Sequence, residues 1–160
     1  MDFPATERGH VSVDPADVLA IQALVSAYYL RVDRPGEELA ADLFAPDGVL
    51  VLGPTQVVGR IAIAAYFAER TRAQAESGRI TRHLSSDVEL KRLDDNRVAG
   101  RSITVVFAGS GELPLTAGAP STIGDFDDVF VRTELGWLFE SRRASIIFTG
   151  PGAADFAKKT

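Results

Sequence analysis

The chain has 160 residues, 46% hydrophobic and 24% charged, enough for one ordinary globular core and too few for two full ones. With 17 Lys and Arg against 22 Asp and Glu, a net charge of −5 and no basic cluster, it does not suit a nucleic acid partner. The absence of cysteine removes disulfides, thiolate nucleophiles and Cys-ligated zinc. With no apolar run of bilayer length and no signal-peptide order in MDFPATERGH, a cytoplasmic protein without a membrane partner is expected.

Residues 1–13 form an arm with Pro4, Gly9 and His10 and no periodicity. Asp14-Pro15-Ala16-Asp17 then starts a helix, with a capping Asp, Pro in the first turn and a second acid at the positive dipole end. Val18, Ile21, Val25, Tyr28 and Val32 make its apolar stripe, and Pro35 ends it near Asp33. Glu37 to Phe44 reads as a short second helix with Leu39, Leu43 and Phe44 inward. Ala45-Pro46-Asp47-Gly48 reads as a turn. Val49 to Leu52 and Gln56 to Val58 pair as a small hairpin about Gly53-Pro54. A third helix runs from Arg60 to Ala75, with Ile63, Tyr66 and Phe67 inward, and Gly78 closes it.

Ile80 to Phe107 reads as two long strands joined at Asp94-Asp95-Asn96. Gly109 to Thr122 is a loop rich in small residues, and two further strands follow at Ile123 to Thr133 and Trp137 to Phe148. Helices followed by a run of strands predict an α+β domain over residues 14–148, with three helices packed on one face of a curved, mainly antiparallel sheet. Leu24, Phe130, Trp137 and Phe139 are expected in its core. The loop and the tail, 149–160, are expected to be the mobile parts. Within them, Leu113, Leu115 and Phe156 are expected to cover a cavity mouth or a subunit contact.

Chemistry has few carriers. The chain lacks GxGxxG, P-loop, HExxH and GxSxG patterns. Asp125, Asp127 and Asp128 cluster on a strand, but alternation sends Asp127 and Asp128 to opposite faces, which argues against a metal site. Apart from His10, His83 is the sole imidazole, the one side chain that titrates near neutrality without help. Alternation along the strand places it opposite Leu84, Val88 and Leu90, so if these line the core, His83 faces away from it. Asp33 sits at the negative end of the first helix dipole, a poor place for a carboxylate unless it makes a turn or serves a site. Such a site would pair Asp33 with an imidazole and use Tyr28 as a hydroxyl donor.

The order Tyr28-x4-Asp33, Leu43-Phe44-Ala45-Pro46-Asp47-Gly48, Gly59-Arg60, Thr81-Arg82-His83 and Val131-Arg132-Thr133-Glu134-Leu135-Gly136-Trp137 with Arg142 resembles the SnoaL-like branch of the nuclear transport factor 2-like superfamily. The resemblance implies a cone-shaped α+β barrel with a deep, mostly apolar cavity. It also implies cofactor-free dehydratase, isomerase or cyclase chemistry on an apolar cyclic or polyketide-like substrate, with a non-catalytic ligand-binding or scaffold protein, or an epoxide hydrolase-like member, as the alternative, and a homodimer or homotrimer. Dehydratase-like members use a Tyr and an Asp of the first helix and a His on the following long strand, positions matched by Tyr28, Asp33 and His83. Tyr29, Tyr66, Ser102, Thr104, Phe107 and Asp128 are the further candidate pocket residues. Those dehydratases carry another His or Asp on the next strand, and epoxide hydrolases of the superfamily an Arg-x-Asp; Arg101 to Phe107 has neither.

Overall fold

Asp14 caps the first helix, α1 (Pro15–Asp33), its carboxylate accepting the N–H of Ala16 at 2.8 Å. The helix stops at Arg34, which leaves helical geometry ahead of Pro35. The computed structural model describes residues 12–153, so His10 and Phe156 lie outside the described residues. Ile21, Leu24, Val25, Tyr28, Tyr29 and Val32 form the buried stripe of α1.

The expected second helix is reduced to a 3₁₀ turn, Ala40–Leu43. So short a segment cannot repay helix nucleation. Phe44 leaves it as the first residue of β1 (Phe44–Leu52), opposite Phe139 at a ring distance of 5.1 Å. The predicted turn at Ala45 to Gly48 is instead a bulged part of β1, where the register jumps between Phe44 and Val49. A bulge is where a strand tolerates a proline such as Pro46, which has no N–H to donate. β2 (Thr55–Val58) pairs back on β1 as expected. α2 (Arg60–Ser77) follows and is closed by Gly78 in the left-handed conformation, φ 61°.

The remaining strands are β3 (Arg79–Ser85), β4 (Glu89–Arg92), β5 (Arg97–Ser110), β6 (Thr122–Thr133) and β7 (Gly136–Thr149). They make one curved sheet in the order β2-β1-β7-β6-β5-β3, with β4 also on β5. All pairings are antiparallel except β1 with β7. Two α-helices and the 3₁₀ turn pack against it, giving an α+β cone with two helices rather than three.

One correction governs the site. The single long strand expected from Ile80 to Lys91 is broken at residues 86–88. Ser85 lies opposite Thr104 and Glu89 opposite Arg101, so β3–β4 advances four residues while β5 advances three. That extra residue reverses the alternation. Leu84 is therefore 60% exposed, whereas Val88 is buried and Leu90 packs against the core. His83 shares the inner face with buried Thr81, rather than looking away from the core. A second bulge does the same in β7: Phe130 faces Phe139, but Val129 faces Ser141, which turns Trp137, Phe139, Arg142 and Ala144 all inward.

Ile21, Phe44, Ile63, Val98, Phe130 and Phe139 are the fully enclosed apolar centre, and Leu24 and Trp137 are buried as expected. Gly100 belongs to this packing, because a Cβ there would lie 2.6 Å from the Phe130 ring and 2.8 Å from Val88. Asp17 ties the start of α1 to the far hairpin. It is buried, accepts Trp137 Nε1 at 3.1 Å and receives Arg132, whose guanidinium lies 4.6 Å over the Trp137 ring. Asp17→Ala strands a buried indole N–H and is expected to cost about 2 kcal/mol in urea unfolding. Asp17→Asn, whose amide oxygen still accepts from the indole, should cost less.

Candidate functional site

The inner face of β3 presents Thr81 and His83 to the last residue of α1, Asp33. Asp33 Oδ1 lies 2.6 Å from His83 Nδ1 and accepts the Thr81 hydroxyl at 2.8 Å. Oδ2 accepts the His83 backbone N–H at 2.7 Å. Burial alone raises the Asp33 pKa, but the hydrogen bonds and charge of His83, with the Thr81 hydroxyl, outweigh it and hold the carboxyl below its ordinary 3.8. An ionised Asp33 is an acceptor only, so Nδ1 must carry the proton between them. The free lone pair of a neutral ring is then on Nε2.

His83 borders an apolar cavity of about 260 Å³ enclosed by α1, α2 and the inner faces of β3, β5, β6 and β7. Tyr28, Tyr29, Tyr66, Thr104 and Phe126 line it, Tyr29 against His83, and Arg70, Arg79, Ser121 and Thr122 are also in its wall. Burial raises the Tyr28 pKa far above its usual value, against the pull of Arg142, so its hydroxyl stays a proton-bearing donor. Burial likewise raises Tyr66. Tyr29 is held on three sides. Its ring stacks on the imidazole (centroids 5.4 Å, 21° between planes), its hydroxyl accepts Arg142 Nη2 at 2.6 Å, and it shares a 2.6 Å hydrogen bond with Thr104.

Arg142 has no exposed surface. Its guanidinium lies 4.2 to 5.0 Å from the rings of Phe126, Tyr28, Phe139 and Tyr29, with Asp128 3.3 Å from Nη1. Burial pushes the Asp128 carboxyl up to about 6, although Arg142 pulls the other way. This buried cation holds the tyrosine pair by cation–π contact and one charge-assisted hydrogen bond.

The structure thus brings Tyr28, Tyr29, Asp33, Tyr66, His83 and Thr104 together. Of these, Asp33 reaches the cavity through His83, and the others line it directly. Three candidate pocket residues do not line it. Phe107 lies opposite Arg82 on the outer side of the sheet, by alternation from Thr104 and Val106. Ser102 and Asp128 face inward but are buried one pleat beyond Thr104 and Phe126, below the lining. Asp127 is an exposed partner of Arg101, as alternation predicts. Leu113 is 68% exposed and Leu115 packs on Gly109; the loop contributes Ser121 to the cavity wall instead.

Sequence reasoning did not assign roles to Thr81, Arg70, Arg79 or Arg142. Simple alternation from Trp137 and Phe139 sends Arg142 outward, and only the bulge before it reverses that. The nearest signal for Thr81 was its place two residues before His83, on the same face of a strand.

The SnoaL-like domain model matches residues 14–143. The chain belongs to the SnoaL-like family. Among curated proteins, none matches this sequence. Solved structures resemble it along most of its length. A variant of a protein of unknown function from Mycobacterium tuberculosis is 25% identical, covers 89% of this chain and 85% of its own, and superposes with a TM-score of 0.70. A scytalone dehydratase candidate from Novosphingobium aromaticivorans is 20% identical, with 87% and 89% covered and a TM-score of 0.71. ActVI-ORFA from Streptomyces coelicolor is 19% identical, with 86% and 100% covered and a TM-score of 0.73. At these identities the last two establish a shared fold.

The Asp33 contacts have a measurable pH signature. Its folded pKa is depressed, so its stabilisation is present above the unfolded value near 3.8 and is lost as pH falls through the lower folded value. Asp33→Asn removes it. Urea unfolding should show wild type more stable than the variant at pH 7, with the gap closing as the pH falls below that unfolded value.

Proposed function

We propose that this SnoaL-like protein is a cofactor-free enzyme of the dehydratase, isomerase or cyclase type. It acts by His83 acid–base catalysis on an apolar cyclic or polyketide-like molecule in the cavity. The observation that carries this reading is the Asp33–His83 contact of 2.6 Å at Nδ1, made inside an apolar cavity by a carboxylate that also grips the backbone of the same residue. An imidazole held by Asp33 at Nδ1, with Nε2 left as the free nitrogen, suits proton transfer to or from a bound molecule. The name of the Novosphingobium scytalone dehydratase candidate, which shares this fold, accords with such chemistry.

In this scheme Nε2 takes a proton from a C–H or O–H of the bound substrate, and Asp33 stabilises the imidazolium that results. Tyr28 donates its hydroxyl hydrogen to the substrate oxygen on which charge develops. Tyr29 is a positioning residue, since its hydroxyl is already engaged by Arg142 and Thr104 and its ring fixes the plane of the imidazole. The inward side chains of β5 at the site, Thr104 and Val106, hold no second acid or base. One imidazole must therefore both remove and return the proton, which suits an isomerisation, a cyclisation or a syn elimination.

The same reading includes a homodimer. By register, Leu84, Val105, Ile123 and Phe148 stand side by side across four strands on the outer face of the sheet, with Leu84 60% and Phe148 63% exposed. Such a row favours a second copy as cover. Sedimentation should give a dimer that Leu84→Glu shifts towards monomer; a wild-type monomer at micromolar concentration would refute it.

His83→Ala should lower turnover by about 10²–10⁴ with the far-UV spectrum unchanged, the usual cost of losing a positioned proton-transfer group. Asp33→Asn should lose most activity as well, because an amide does not stabilise an imidazolium. Full turnover by His83→Ala on the true substrate would end the acid–base scheme and leave a shape-driven cyclase or a binding protein.

A further inference from the structure

The cavity wall carries two cations that the acid–base scheme does not use. On α2, Arg70 and Arg72 are two residues apart but meet different surroundings. Arg72, on the outer face, is neutralised by Glu69 at 2.6 Å and Glu76 at 3.0 Å. Arg70 turns to the cavity and meets no carboxylate among the described residues. Arg79, the first residue of β3, lines the same cavity, and its side chain donates from Nη2 to the Gly152 carbonyl at 2.7 Å.

The two arginines also act on each other. Partial burial first, and then the positive charge of Arg70, lower the Arg79 pKa. A protein with net charge −5 has carboxylates to spare, yet two like charges line an apolar chamber with no carboxylate partner among the described residues. Like charges beside a low-dielectric wall cost free energy unless an anion joins them.

We propose that Arg70 and Arg79 form a carboxylate-binding subsite, so that the substrate is a mainly apolar ring system bearing a free carboxylate. A fork of guanidinium donors matches a carboxylate geometrically as well as by charge. The position also sets a length. Arg79 and His83 are four residues apart on one extended strand, about 13 Å at 3.3 Å per residue. That separation is one of backbone positions along β3, and the anchor orients the substrate rather than joining the chemistry. The inference rests on reading the cavity as a substrate site, but not on what His83 does there.

The test uses the full-length protein with 2-naphthoate and its methyl ester as probes, each titrated by fluorescence and calorimetry. The acid should bind about tenfold or more tightly than the ester, as expected for a charge-assisted contact in a partly desolvated site. Arg70→Gln and Arg79→Gln should each erase most of that preference while leaving ester affinity nearly unchanged. Unliganded Arg70→Gln should melt no lower than wild type, since it relieves repulsion; a merely structural arginine would give a loss. His83→Ala should keep the acid preference, so this proposal and the acid–base scheme fail separately. Equal affinity for acid and ester, a preference that survives both arginine substitutions, or no binding of the acid at millimolar concentration would each overturn it.

Discussion

The clasp of Asp33 on β3 is the constraint on which the site depends. A single carboxylate at the end of α1 accepts the His83 backbone N–H, the His83 Nδ1–H and the Thr81 hydroxyl. The backbone bond fixes where the helix meets the sheet, and the ring bond fixes which nitrogen is free. Structure and reactivity are therefore set by the same group. A carboxylate is disfavoured at the negative end of a helix dipole, and here three donors offset that cost.

A second layer supports the first. Arg142 lies sealed among four aromatic rings, paired with Asp128, and delivers one hydrogen bond to Tyr29. Tyr29 in turn stacks on His83. A buried charge is expensive to desolvate, and Asp128 registers that cost in its raised pKa. What the arrangement supplies is rigidity: the imidazole is gripped at one edge by Asp33 and on one face by Tyr29. Ser102 Oγ, both Asp128 oxygens and Arg142 Nε and Nη1 are buried without hydrogen-bond partners among the described residues, which makes this layer a natural place for buried water.

Polar groups are distributed unevenly around the cavity. Beside His83, the Tyr29 and Thr104 hydroxyls share a hydrogen bond, and burial keeps the Tyr28 hydroxyl protonated. Elsewhere in the cavity wall Arg70 and Arg79 have no carboxylate partner among the described residues. On the proposed reading, hydroxyls and cations set in an otherwise apolar wall would fix the orientation of a substrate. The membership of the SnoaL-like family gives the chamber its shape, while these few side chains decide what it can do.

The sequence by itself determined the capped first helix, the α2 span between Gly59 and Gly78, the run of strands after it and the choice of Tyr28, Asp33 and His83. Those features rest on local rules: capping, glycine conformation, period and the scarcity of imidazole. Tertiary structure decided what local rules do not reach. The segment before Phe44 became a 3₁₀ turn because Phe44 packs on Phe139, a partner far along the chain. Two one-residue bulges, at 86–88 and before Arg142, reversed the side-chain alternation and turned His83 and Arg142 inward together with their apolar neighbours. Alternation has a period of two, so a single unpaired residue inverts every inference made across it, and only the pairing of distant strands reveals where that residue lies.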